Sequence, residues 1–255
     1  LAIRRFDAAE GCGKRSLGRR ALALRVTAHL KLANERLSDG GLAGVMDLLE
    51  RAEPWARVGD VAQRQALGDA ADVAADVALR QGARDIAERA LRIALERPPD
   101  ADRVTRQRGQ LKVLLGEREE GSEQLAQWAG AHRSRWDEVA QFYQALQETE
   151  LALVARRQAT AQVGADAETW QALARAALAL ERHDEATEAF LSGAALLSIG
   201  SERAEYLVDS AAEIILVHGG PSPAGGLELL RSAVAAEPAS WTASKALASH
   251  LARSG

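Results

Sequence analysis

At 255 residues the chain is long enough for one domain or an elongated array with a sizeable core. Aromatic residues make up only 4% while alanine and leucine dominate, a composition that suits helices packed through small side chains and starves a β-sheet. A net charge of −4, with arginine interleaved among aspartate and glutamate, gives no electrostatic case for nucleic acid, whose phosphates call for a clustered basic surface.

No apolar run reaches the roughly 18 to 20 residues of a membrane span. The opening stretch LAIRRFDAAEG places charges where a signal peptide needs an apolar core. The single Cys12 rules out an internal disulfide and a multi-thiolate metal site and fits a reducing compartment, so a cytoplasmic location is expected. A chain that opens on Leu1 and holds only Met46 reads as a segment of a longer protein.

Within residues 1–15, GCGKRS imitates the end of a phosphate-binding loop. That loop needs glycine where Ala8 stands, serine or threonine where Arg15 stands, and a buried strand before it, so a helix stop at Gly11 or Gly13 is the better reading. Residues 16–37 then carry Leu22, Val26, Leu30 and Ala33 at helical spacing, ended by Ser38, Asp39, Gly40 and Gly41. A shorter helix over 42–51 should stop before Pro54. Residues 1–57 are read as a degenerate repeat or cap, and 58–255 as a repeat array.

In that array a second hairpin spans 58–80 and 83–96 with Gly82 in its turn, and a third covers 101–133 with Gly116 at the turn and Trp128 in its second helix. The fourth opens on Trp136, Val139, Ala140 and Tyr143; the fifth spans 170–198 with Trp170, Leu173, Ala174, Ala186, Phe190 and Gly193. Trp136 to Trp170 is the same step as Ala71 to Thr105, and a fixed period of about 34 residues marks a repeat protein. A sixth hairpin is expected to give Tyr206 the place of Trp170, with a long turn-rich loop, VHGGPSPAGG, between its helices. Trp241 opens a last helix that has no second helix after it, either a polar cap or a truncated repeat.

The order Trp170, Leu173, Ala174, Ala186, Phe190, repeated in the fourth hairpin through Trp136, Val139, Ala140, Tyr143 and Ala152, resembles the tetratricopeptide repeat family. The second hairpin fits through Ala75, Ala87, Leu91 and Pro99, whereas the fourth has Arg156 for the later aromatic and Gly164 for the proline. Resemblance implies an all-α fold, a right-handed superhelix of antiparallel helix hairpins, whose first helices line a concave groove that holds partner proteins or peptides. The motif residues, including the three tryptophans that open hairpins, are packing residues in that family and are expected in the core.

Chemistry is sparse. His29, His132, His183, His218 and His250 show no His-x-x-x-His pair, no nucleophile elbow occurs, and neither cofactor nor metal is expected. Asp69, Asp72 and Asp76 share a helical face, which reads first as a solvated acidic surface and second as a seat for a cation or basic peptide. No convergent acid and base groups point to an enzyme. By the repeat pattern, the groove should be lined by Asp72 and Asp76, Arg106 and Gln110, Asp137 and Gln141, Gln171 and Arg175, then Leu178, Leu207, Ala211 and Ile214. It would run from acidic through basic and polar to apolar, fitting a peptide with charged residues at one end and an apolar anchor at the other. Acidic residues at Asp72, Asp76 and Asp137 do not support the Lys and Asn clamp with which some such domains grip a C-terminal carboxylate. The expectation is an interaction scaffold, with a regulatory or sensor segment of a larger protein as the alternative and self-association as a further possibility.

Overall fold

The computed structural model describes residues 19–38, 41–42, 44–96, 101–218 and 223–254, with side chains described from 24 to 252 apart from 223–226. The GCGKRS stretch, Pro98, Pro99 and the GGPS part of the long loop lie outside the described residues. Among the described residues there are thirteen α-helices and no strand. None is long and apolar enough to cross a membrane.

Two compact units divide the chain, Leu1–Trp128 and Ala129–Gly255. The first holds α1 (Arg19–Ser38), α2 (Val45–Arg57), α3 (Val61–Arg80), α4 (Arg84–Ala94), α5 (Ala101–Leu114) and nearly all of α6 (Arg118–Ala129). Its core joins Val26, Leu30 and Ala33 of α1 to Leu48, Leu49 and Ala52 of α2, to the Ala70, Ala71, Ala74, Ala75 stripe of α3, and to Leu91 of α4. First helix packs on first and second on second, α1 against α3 and α2 against α4. Small side chains permit the close approach, since a buried alanine keeps almost no rotamer freedom to lose.

The second helix of the first hairpin continues through Pro54, where the sequence suggested a stop. Pro54 is exposed and forfeits one backbone hydrogen bond, but Val45, Met46, Leu48, Leu49, Ala52 and Ala56 bury one continuous face across it. Burial of that face outweighs the local breaker.

The second unit holds α7 (Arg133–Ala145), α8 (Thr149–Thr160), α9 (Ala167–Leu178), α10 (His183–Ala194), α11 (Glu202–His218), α12 (Pro223–Ala236) and α13 (Trp241–Ser254). Phe190, Leu153, Leu173, Leu207, Val208, Ile215 and Leu230 are buried together with many alanines. Asp166 opens α9 by accepting from the Thr169 N–H at 2.9 Å, and Ser201 and Ser240 cap α11 and α13 in the same way.

Four first helices end in one shared turn. Gly82, Gly116, Gln147 and Glu181 sit at φ of 73°, 90°, 61° and 57°, and in each case the following N–H reaches back five residues to a carbonyl, Ala83 to Ala78, Glu117 to Lys112, Glu148 to Tyr143 and Arg182 to Ala177, at 2.9 to 3.0 Å. Gly82 and Gly116 are separated by one repeat period, and so are Gln147 and Glu181. The repeat is thus written in backbone geometry as well as in packing, and within each unit the chain is an all-α, tetratricopeptide-like array of helix hairpins.

Candidate functional site

The residues expected to line a groove separate into three groups once placed. In the first unit, Asp72 and Arg106 pair with each other at 2.7 Å, α3 to α5, and Gln107 donates to the second Asp72 oxygen at 2.7 Å. Arg106 also lies 5.9 Å from the Trp128 ring centre. Asp69 and Arg103 repeat the bridge one turn earlier at 2.7 Å. Each acid stands one repeat period before its base, so the two bridges bind neighbouring repeats together and are satisfied within the unit. Asp76 is half-buried beside them. Gln110 is buried, which removes it from a binding surface.

The second group, on α7, α9 and α11, includes a correction. Leu207 and Ala211 are fully buried and Ile214 is nearly so; they belong to the core, where the sequence reading had an apolar peptide anchor. Their placement follows from register. Leu173, Ala174 and Ala177 of α9 recur one repeat period later as Leu207, Val208 and Ala211, all of them buried, so the counterpart of Trp170 is the buried Ala204. Tyr206, read as that counterpart, stands two positions further along the helix and is half exposed. Two residues turn a helix by about 200°, enough to exchange its core and solvent faces.

The third group remains at the surface. Gln141 and Arg175 are exposed, and Asp137, Gln171 and Leu178 are half-buried. Asp137 accepts from Arg156 of α8 at 2.6 Å. The Tyr206 phenol is held below its ordinary pKa, first by Arg175 of α9 and next by Ser210 of its own helix. Arg203 donates to Gln171 at 3.4 Å. Tyr206, Arg175, Gln171 and Arg203 therefore form one polar and aromatic patch across α9 and α11, and the residue the sequence missed is Tyr206. Stepping one full period from Leu173 to Leu207, rather than from Trp170 by residue type, would have put Leu207 in the core and freed Tyr206 from it.

No group of three or more His, Cys, Asp or Glu side chains is gathered for a metal among the described residues. His183 and His218, distant in sequence, stack with ring centres 3.6 Å apart and planes within 10°.

No family model matches the sequence. No curated protein matches it either. Among solved structures, the chain is similar to PilW, a widely conserved type IV pilus biogenesis factor, at 15% identity and a TM-score of 0.45, over 87% of this chain and 98% of that one. It is similar to PilF of Pseudomonas aeruginosa at 13% and 0.42, over 89% and 99%. A third likeness is to a chain of the APC/C hetero-tetramer Cut9–Hcn1, at 17% and 0.43, over 89% of this chain but only 42% of that one.

Proposed function

We propose that the chain is a non-enzymatic interaction scaffold whose second unit holds a protein or peptide partner on the patch formed by α9 and α11. The observation that carries this reading is Tyr206, a half-exposed aromatic ring on α11 whose pKa the exposed Arg175 of α9 lowers. Tyrosine and arginine are the residue types that concentrate binding energy at protein interfaces, because each joins a broad apolar body to a directional polar tip. Gln171, beside Arg175 on the same helix, accepts from Arg203 of α11 at 3.4 Å and ties the two helices together at this patch. A guanidinium at the centre favours a partner segment that brings a carboxylate. Leu178 and Gln141 extend the surface on either side.

The test is partner capture from the native host with the wild-type chain and with Arg175→Glu. Expected is loss of the captured partner from a variant whose circular dichroism is unchanged. A partner retained in full by Arg175→Glu and by Tyr206→Ala would refute the assignment.

A further inference from the structure

Four arginines of the second unit, Arg133, Arg156, Arg157 and Arg182, are held by Asp166, Asp137, Glu185 and Glu150 at 2.6 to 3.0 Å. Arg175 and Arg203 are different. Both are exposed, and among the described residues neither has a carboxylate partner.

The register shows how Arg175 is left without one. In the first unit, charges one repeat period apart bridge neighbouring repeats, as Asp72 and Arg106 do. One period after Arg175 stands Asp209, but its Oδ1 accepts from the Ser240 hydroxyl at 2.6 Å. Along α9 the residues one turn to either side of Arg175 are Gln171, Ala172, Leu178 and Ala179, none of them charged. One period earlier, on α7, Gln141 is neutral and Asp137 is taken by Arg156.

Arg203 has acids near it that do not engage it. Glu168 lines the same recess, with Leu196 and Leu197, yet forms no ion pair with it. Glu202 and Glu205 flank it on α11, where residues one and two apart do not face each other. The group it does meet is Gln171, which is neutral and leaves its charge uncancelled. Gln171 stands one turn before Arg175 on the same face of α9, so the two guanidiniums are separated by about one helical turn.

An uncancelled guanidinium calls for an anionic oxygen. The surroundings decide what can deliver it. Glu168, Glu202 and Glu205 are all exposed at the border of the patch, so a flat anionic lipid surface would meet three carboxylates along with the two guanidiniums. A peptide with its acids a few residues apart meets the guanidiniums alone.

Resting on the patch assigned above, we infer that its partner segment is acidic and brings two side-chain carboxylates, one to Arg175 and one to Arg203. Their separation matches acids one turn apart on a helix or two residues apart on an extended strand, about 5 to 7 Å. Glu168 opposes the second carboxylate and limits how much negative charge the site accepts.

The test is to select a phage-displayed library of random 12-residue peptides on the whole chain. Enriched peptides are synthesised with a fluorophore and an amidated C-terminus, so that only side-chain acids are read, and measured by anisotropy. Expected is a consensus with two Asp or Glu, and an affinity about tenfold weaker for Arg175→Gln and for Arg203→Gln. Affinity should also fall at least about tenfold between about 0.05 and 0.5 M NaCl and rise about twofold for Glu168→Gln. All three side chains are exposed, so the variants should keep the circular dichroism of the wild type. Peptides weakened by Tyr206→Ala that lack paired acids and ignore salt would overturn this inference and leave the patch standing. Peptides indifferent to Tyr206→Ala and to both arginine variants would overturn the patch and the inference with it. Binding of the wild type to vesicles of phosphatidylcholine and phosphatidylglycerol, abolished by Arg175→Gln, would overturn the choice of a peptide.

Discussion

Gln147→Gly and Gly82→Ala form a matched pair that isolates the backbone turn shared by four repeats. Gln147 holds φ at 61° with a Cβ, an arrangement that costs an L-residue about 1 to 2 kcal/mol. Glycine removes that cost but makes the unfolded chain freer, which takes back about 0.4 to 1 kcal/mol. The Gln147 side chain is exposed, so little else changes, and the balance is a gain of about 0.5 to 1 kcal/mol. Gly82 offers the reverse experiment. A Cβ built there meets nothing within 4 Å, so Gly82→Ala carries φ strain alone and should lose about 1 kcal/mol. Urea titration with circular dichroism and a thermal scan measure both; a change of about 1 kcal/mol moves Tm by about 2 to 4 °C at this size. A destabilised Gln147→Gly, or a Gly82→Ala without effect, would refute the claim that the repeat is fixed by this turn.

Other consequences are separable. Leu207→Ala should cost about 2 to 5 kcal/mol in urea unfolding, because the side chain is fully buried; a variant of wild-type stability would return Leu207 to the binding surface. Gly121→Ala should cost at least about 1 to 3 kcal/mol, since its Cβ would stand 2.7 Å from Val113 Cγ2 and 2.8 Å from the Gly109 carbonyl and the Val113 nitrogen, and backbone cannot step aside; equal or higher stability would contradict the α5–α6 crossing. Asp72→Ala should cost about 2 kcal/mol, below the full value for a buried pair because both side chains keep some solvent, while Asp69→Ala in the half-exposed neighbouring pair should stay near or under about 1 kcal/mol; equal losses would deny that burial sets the difference. Asp166 is held below its ordinary value of 3.8 first by the Thr169 N–H. Its stabilisation is therefore intact above that value and lost as pH falls through the depressed one. Asp166→Ala should cost about 1 kcal/mol at neutral pH and flatten the acid limb of stability measured from pH 6 to pH 3; an unchanged limb would show that the cap does not form.

Helix content, the hairpin order and the alanine seams were legible because period and small-residue spacing act over whole helices. Gly82 and Gly116 announced their turns. Gln147 and Glu181 did not, since a left-handed residue with a side chain leaves no compositional mark and appears only through the repeat register. That register also explains the misplaced anchor. Tyr206 was matched to Trp170 by aromatic character, although packing equivalence runs through Ala204, whose small side chain resembles no motif residue. Asp72 and Arg106 stood one period apart in the sequence, but whether two such charges face solvent or each other depends on how closely α3 and α5 approach, which spacing alone does not state. Pro54 shows the same limit from the other side, a local breaker overridden by a buried face.

The most direct measurement places a photoactivatable residue at Tyr206 of the chain in its native host, with an identical substitution at the exposed Glu188 on α10 as reference. Expected is one protein crosslinked in high yield from position 206, weakened by Arg175→Glu and absent from position 188. No crosslink from 206, or the same products from both positions, would contradict the α9–α11 surface as the place where this scaffold holds its partner.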